Sequence, residues 1–92
     1  MSTISLVHRH SMGEGALRIV LDKLASDLEK RFQLSSHWED DACLRFKRKG
    51  ADGCIRLCEG EIHLDMKLGL LLKAFSHRIE SDMKEYMQAH IL

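Results

Sequence analysis

The sequence predicts a two-layer α+β fold, in which two helices cover one face of an antiparallel sheet. Two stretches repeat apolar residues with helical period, one near each end of the chain, and the region between them alternates apolar and polar residues as strands do. Each helix carries one apolar stripe and the sheet has one apolar face, so these surfaces bury one another when both helices lie on the same side. The predicted order is β-α-β-β-β-β-α, which is typical of TATA-binding-protein-like and helix-grip folds, and the strand order stays open.

The first strand and the first helix are predicted from local patterns. Residues 3–8 alternate apolar and polar positions as a short strand does. Ser11 is followed three residues later by Glu14, which is the pattern of a capping box and places the start of the helix at Ser11. Apolar residues then recur at helical spacing along one stripe: Leu17, Leu21, Leu24, Leu28 and Phe32.

The middle of the chain is predicted to form four strands, at residues 36–39, 42–48, 54–59 and 61–67. Short connectors join them, so consecutive strands are expected to pair antiparallel. The side chains predicted to face the helices are Leu44, Phe46, Ile55, Leu57, Ile62, Leu64 and Met66.

The hairpin between the second and third of these strands can close in two registers. A two-residue loop at 50–51 would place Cys43 opposite Cys58, whereas a four-residue loop at 50–53 would place Arg45 opposite Cys58. Gly53 can supply the left-handed residue that a four-residue loop needs, so the longer loop is favoured.

The helical period returns after Gly69. The spacing predicts one continuous helix whose buried stripe is formed by Leu72, Phe75, Ile79, Met83 and Met87.

Composition sets limits on the function. The chain has 92 residues and no linker-like segment, so we expect a single domain over residues 1–92. Its 14 Lys and Arg balance 14 Asp and Glu, which argues against a nucleic-acid partner, because such proteins carry a basic excess. The longest apolar run, Leu70 to Leu72, is too short for a membrane span, and residues 1–10 lack the apolar core of a secretory signal. We therefore expect a cytoplasmic protein.

The polar face of the predicted sheet is the candidate binding surface. Basic residues outnumber Asp65 there, while the helices cover the opposite face. The alternative is a merely solvated face, as half-exposed antiparallel sheets often have. The face lacks the aromatic side chains that stack on nucleic-acid bases, since Phe46 points the other way. The candidate binding residues are Arg45, Lys47, Arg56, His63 and Lys67.

Histidines raise the question of a metal site. His8 and His10 alternate onto one side of an extended segment, and a third ligand would have to come from His37 or His63. Two ligands do not make a site, so we expect no metal and no cofactor.

Cysteines and paired acids are the other reactive groups. Cys54 and Cys58 lie four residues apart on one strand, too far for a disulfide or a shared metal, and we expect free thiols. The adjacent acids Asp40 and Asp41 are expected to form a turn by accepting bonds from nearby amides, so no catalytic residue is predicted.

Several stretches resemble a small bacterial family, the polyhydroxyalkanoic acid system proteins, which are associated with storage-granule loci. The matching stretches are His-Ser-Met-Gly at 10–13, Trp-Glu-Asp-Asp at 38–41, Leu-Arg-Phe-Lys-Arg at 44–48 leading to Gly-Ala-Asp-Gly at 50–53, and Leu-Gly-Leu-Leu-Leu-Lys-Ala-Phe at 68–75 continuing to Ile-Glu at 79–80. The resemblance implies a role around polyhydroxyalkanoate granules and carries over no catalytic residue.

The sequence and the resemblance together predict a non-enzymatic accessory protein of polyhydroxyalkanoate storage. It would bind a granule surface, a granule-associated protein or a hydrophobic ligand. The alternatives are a small enzyme acting on hydroxyacyl thioesters or polyester, and a generic protein-interaction module. Self-association through the uncovered sheet face or an edge strand is also expected, because unpaired strand edges favour strand addition.

Overall fold

The computed structural model describes residues 2–91, and Met1 and Leu92 lie outside the described residues. It contains a five-stranded sheet and three helices. In chain order the elements are β1 (Ser2–Arg9), α1 (Glu14–Phe32), β2 (Ser35–Asp40), β3 (Cys43–Arg48), β4 (Ala51–Cys58), β5 (Glu61–Leu68), α2 (Leu70–Lys73) and α3 (Ser76–His90). The predicted α+β class and element order are confirmed, with the short helix α2 as an addition.

The sheet is antiparallel throughout, with strand order β1-β5-β4-β3-β2. Strands β2 to β5 form a meander, because each is joined to the next by a short turn. Strand β1 returns from the start of the chain to pair with β5, with Ser2 opposite Leu68 and Arg9 opposite Glu61. The two edges of the sheet are therefore β1 and β2.

The core lies between the helices and one face of the sheet. Helix α1 packs beside β2 and helix α3 beside β1, and the two helices touch one another. Inward-facing side chains alternate with exposed ones along every strand, as a sheet covered on one side requires. The largest fully buried side chains include Leu17, Leu21, Leu24, Leu28, Leu44, Phe46, Ile55, Ile62, Leu64 and Met66.

The start of α1 differs from the prediction. The helix begins at Glu14 with Gly13 at the N-cap position and no side-chain cap, so the capping box starting at Ser11 is wrong. Residues 10–13 are neither helix nor strand; there the backbone N–H of His10 donates to Gly60 O at 3.0 Å and the N–H of Met12 donates to Nδ1 of His10 at 3.1 Å. The helix therefore starts only after this irregular segment.

Both predicted registers of the β3–β4 hairpin are wrong. Arg48 pairs with Ala51, so the turn consists of Lys49 and Gly50, and Cys43 lies opposite Arg56 rather than opposite Cys58. Gly50 has a φ of 88°, a conformation that costs glycine little and other residues much. The left-handed glycine of this turn is thus Gly50, not Gly53.

Gly53 lies inside β4, where it lets two strands approach closely. A Cβ at this position would come within 2.7 Å of Asp65 O and 2.8 Å of Met66 Cβ on β5. Gly53 pairs with Phe46 on the other side. The glycine is therefore required by close packing within the sheet, and the prediction that it lies in the hairpin loop is wrong.

The predicted C-terminal helix is divided in two. Ala74 and Phe75 form a turn between α2 and α3, and Phe75 has ψ near zero, outside the regular helical conformation. Leu72, Ile79, Met83 and Met87 are buried as predicted, but Phe75 is 46% exposed. The break turns the phenylalanine away from the stripe that the spacing assigned to it.

Leu24 provides a test of the helix-on-sheet packing. Its side chain is 1% exposed, so Leu24→Ala is expected to lower the free energy of unfolding by about 2–4 kcal/mol through lost burial and a residual cavity. Urea denaturation followed by circular dichroism measures the change. Exposed Lys30→Ala on the same helix is the control, and a Leu24→Ala midpoint equal to that of the control would contradict the packing.

Gly53 provides a test of the close strand approach. Gly53→Ala is expected to lower the free energy of unfolding by about 1–3 kcal/mol, because the new methyl group meets backbone atoms of β5. Gly15→Ala is the matched control, since a Cβ there meets nothing within 4 Å. The same denaturation experiment compares them, and equal stability of both variants would count against the contact.

Candidate functional site

All five candidate binding residues lie on the sheet face that the helices leave uncovered, here called the open face. Adjacent strands bring them into rows, since Lys67 lies opposite Asp52 and Asp52 opposite Lys47, while Arg56 lies opposite His63. Their side chains are exposed or half-buried. The placement of Arg45, Lys47, Arg56, His63 and Lys67 on one surface therefore agrees with the prediction, and their role in binding stays a prediction.

The charge of the open face is more balanced than the sequence suggested. Acidic residues from β2, β4 and β5 fall on the same face and pair with the cations. Arg45 donates to Glu39 through Nε and to Asp52 through Nη1, the latter at 3.0 Å, and these two bonds raise its pKa. Asp65 accepts a bond from Ser5 at 3.1 Å. The face thus presents paired charges of both signs.

Two cysteines lie side by side on the open face. The thiol of Cys43 neighbours that of Cys54, and burial together with this neighbour raises the pKa of Cys43. Cys58 lies further along β4 and is exposed. All three are free thiols in the structure.

The histidines weighed as metal ligands are divided between the two faces of the sheet. His8 lies on the helix-covered side, where its Nε2 donates to Ile91 O at 2.7 Å, whereas His37 and His63 lie on the open face. Within residues 2–91, no three His, Cys, Asp or Glu side chains come together in an arrangement that could hold a metal ion.

The acids at the β2–β3 turn stabilise that turn. Asp40 Oδ1 accepts the backbone N–H of Ala42 at 2.7 Å, as the sequence analysis expected of a turn residue. Asp41 lies 3.7 Å from Arg18, whose guanidinium also stacks over Trp38 at 4.6 Å. Trp38 donates to Asp22 at 2.8 Å and packs against the core from the edge strand β2. These contacts tie the edge strand to α1.

A cluster of exposed apolar side chains, here called the apolar tip, is a surface that the sequence analysis missed. It consists of Leu70, Leu71 and Phe75, which are 83%, 59% and 46% exposed. Leu71 lies against the β3–β4 turn, since a Cβ on Gly50 would be 3.4 Å from Leu71 Cβ. Three consecutive leucines cannot all face the core from one short helix, and this signal could have revealed the tip.

Basic residues surround the apolar tip. Residues 42–51 and 66–79, which supply the β3–β4 turn and the segment around α2, contain no Asp or Glu. Lys49, Lys73 and Arg78 are exposed around the tip. Arg48 donates to Phe32 O at 2.8 Å and so covers the end of α1 beside it. The tip is therefore apolar at its centre and cationic at its rim.

A groove of about 420 Å³ adjoins the tip. It runs between the end of α1 and the start of α3, and Phe75 forms part of both the groove and the tip. Its lining combines three cationic and three apolar side chains with one neutral polar residue: Arg31, Arg48, Arg78, Phe32, Leu72, Phe75 and Gln33.

The opposite end of the molecule is acidic. The turns that join β2 to β3 and β4 to β5 meet there, as shown by the bond from Leu57 N–H to Ala42 O at 2.8 Å, and α1 begins beside them. The net charge of the chain is zero, but its two ends carry local charges of opposite sign. The acidic end carries Glu14, Asp40, Asp41, Glu59 and Glu61.

The geometry defines a small α+β protein with an apolar tip rimmed by cations at one end and a charge-paired open face. None of the helices within residues 2–91 has the length and apolarity needed to cross a membrane. The chain matches the family model described as "Putative polyhydroxyalkanoic acid system protein" over residues 4–91 and belongs to that family. Neither a search of curated proteins nor a search of solved structures gave a match.

The thiols provide a test of the open face. Iodoacetamide is expected to alkylate Cys58 before Cys43, because Cys58 is exposed while burial raises the pKa of Cys43 and so lowers its thiolate fraction. Mass spectrometry of peptides after timed labelling at pH 8 measures both rates. The unfolded chain in urea is the control and should label both residues at similar rates, and faster labelling of Cys43 in the folded protein would contradict the geometry.

Proposed function

We propose that this protein is a non-enzymatic accessory protein of polyhydroxyalkanoate storage that docks on the granule surface through the apolar tip. The observation that carries the proposal is the exposure of Leu70, Leu71 and Phe75 inside a rim of cations. Membership of the polyhydroxyalkanoic acid system family supplies the context.

The chemistry of a polyester surface matches that of the tip. A polyhydroxyalkanoate chain is largely apolar along its repeat and ends in a carboxylate, so a particle surface offers apolar area together with anionic groups. Burying a leucine or phenylalanine fully is worth about 1.5–3 kcal/mol, and three such residues together can hold a small protein reversibly. Lys49, Lys73 and Arg78 add attraction to the anionic groups. The protein would thus be a cytoplasmic protein that associates with granules.

The open face has a separate role in this proposal. Docking by the tip leaves it accessible, together with the edges β1 and β2. Its paired charges suit a protein partner or a second copy of the chain, with modest and salt-sensitive affinity. Such a partner would be recruited to the granule by the docked protein.

The alternative of a small enzyme requires a nucleophile, a base and oxyanion donors in one place. Cys58 and His10 line the same pocket at the acidic end. However, Nε2 of His10 has no hydrogen-bond partner, so the imidazole does not hold the thiol as a base holds its nucleophile. This geometry supports the non-enzymatic proposal.

Removal of the tip tests the proposal. The double variant Leu70→Ser, Phe75→Ser is expected to lose at least about tenfold in affinity for polyhydroxyalkanoate particles, because it removes two exposed apolar side chains from the contact. Cosedimentation of purified protein with amorphous particles measures the affinity. The variant should keep its stability, since both residues are exposed.

Matched controls come from exposed apolar residues elsewhere on the molecule. Val7 on the open face and Ile19 on α1 are 57% and 60% exposed, and Val7→Ser and Ile19→Ser should bind particles as the unchanged protein does. Lys73→Glu should weaken binding more at low salt than at high salt. The proposal would be refuted if the tip and control variants lost equal affinity for the particles, or if the unchanged protein did not bind the particles.

A further inference from the structure

The pocket at the acidic end contains a buried donor without a partner. The cavity has a volume of about 330 Å³ and lies between residues 10–12 and the β4–β5 turn. His10 lines it, and the Nε2 atom of this residue, buried behind the wall, is the single buried side-chain nitrogen or oxygen within the described part of the chain that makes no hydrogen bond. A buried donor without a partner is destabilising, so a ligand that accepts a hydrogen bond from it would be stabilised.

The hydrogen bonding of the ring fixes which group Nε2 presents. The backbone N–H of Met12 donates to Nδ1 of His10 at 3.1 Å. Nδ1 must then be the unprotonated nitrogen of the neutral ring, so Nε2 carries the hydrogen and acts as a donor. The backbone of His10 is itself held by the bond from its N–H to Gly60 O at 3.0 Å. The donor is therefore positioned from both sides.

The walls of the pocket select among possible acceptors. Glu14 and Glu59 line it and disfavour a carboxylate ligand through like-charge repulsion. Met12, Leu17 and Leu57 provide apolar contact. An acceptor that is neutral and carries short alkyl groups suits these walls, which describes the carbonyl of an aliphatic ester.

We propose that this pocket binds an ester carbonyl of a hydroxyalkanoate chain, with His10 Nε2–H as the donor and the apolar walls around the alkyl groups. The choice of polyester as ligand rests on the proposed function. Because Nε2 is buried, the ester oxygen reaches it when a wall side chain moves, and the flexible, half-buried Met12 is suited to that movement. The site lies at the end of the molecule opposite the apolar tip, so it would take a single chain segment rather than the particle surface.

Titration with methyl 3-hydroxybutanoate, followed by ¹⁵N–¹H NMR of labelled protein, tests the inference. The ester is expected to shift the His10 ring signals and the Met12 amide at millimolar concentration. The anion 3-hydroxybutanoate should bind at least about tenfold more weakly, because of Glu14 and Glu59. Absence of shifts with the ester, or equal binding of ester and anion, would overturn the proposal.

Two substitutions of His10 distinguish the loss of the Nε2–H donor from the loss of the bond that Nδ1 accepts from Met12. His10→Asn keeps an oxygen near the Nδ1 position to accept from Met12 and removes the Nε2 donor, whereas His10→Gln places an amide N–H near the Nε2 position. Ester affinity should fall about tenfold in His10→Asn and less in His10→Gln. Should His10→Asn fail to fold, Ala42→Leu, which fills the pocket from another wall, must abolish the shifts. Undiminished ester binding in His10→Asn, or in Ala42→Leu, would overturn the proposal.

The tip variant distinguishes this inference from the proposed function. Leu70→Ser, Phe75→Ser should bind the soluble ester as tightly as the unchanged protein, because the tip and the pocket lie at opposite ends. Loss of ester binding in His10→Asn with particle docking retained supports the pocket independently. Particle docking by a protein that does not bind the ester would overturn this inference alone.

Discussion

The burial of one sheet face beneath two helices is the constraint on which the rest of this structure depends. A chain of 92 residues has apolar material for a single core, and α1, α3 and the inward side chains of the sheet use most of it. The other face must then be polar, and its charges are close enough to pair, as Arg45 does with Glu39 and Asp52. Apolar side chains that do not fit beneath the helices remain at the surface, and the apolar tip consists of such residues.

The path of the chain explains why the two ends of the molecule differ. A meander alternates its turns between two ends, so the basic β3–β4 turn lies beside α2 and the end of α1, while the two acidic turns lie beside the start of α1. Charge segregation on this scale orients a molecule near a charged surface even when its net charge is zero. The apolar tip and the His10 pocket thereby lie at opposite ends of the molecule.

Features set by periodicity could be predicted from the sequence, and features set by contacts between distant residues could not. The stripes containing Leu24 and Ile79 and the grouping of Arg56 with Lys67 follow from helical and strand repeats alone. The role of Gly53 depends on the backbone of β5, and the register of its hairpin follows from the turn at Gly50, which the pattern of side chains does not determine. The helical spacing likewise does not show the break at Phe75, and the unpartnered nitrogen of His10 emerges only from the three-dimensional structure.

The pairing of β1 with β5 has a consequence for how the protein folds. Nearly sixty residues separate Leu6 from its partner Leu64, whereas each hairpin of the meander closes over a few residues. Contacts between distant residues form late because closing a long loop costs entropy first. During synthesis the ribosome releases β1 long before β5 exists, so the first strand has to wait unpaired. Helix α1, the next element to emerge, has its own stripe of leucines but no sheet to cover until the meander is complete. Assembly of the core therefore depends on the second half of the chain, because β1 has no partner strand before β5 is made.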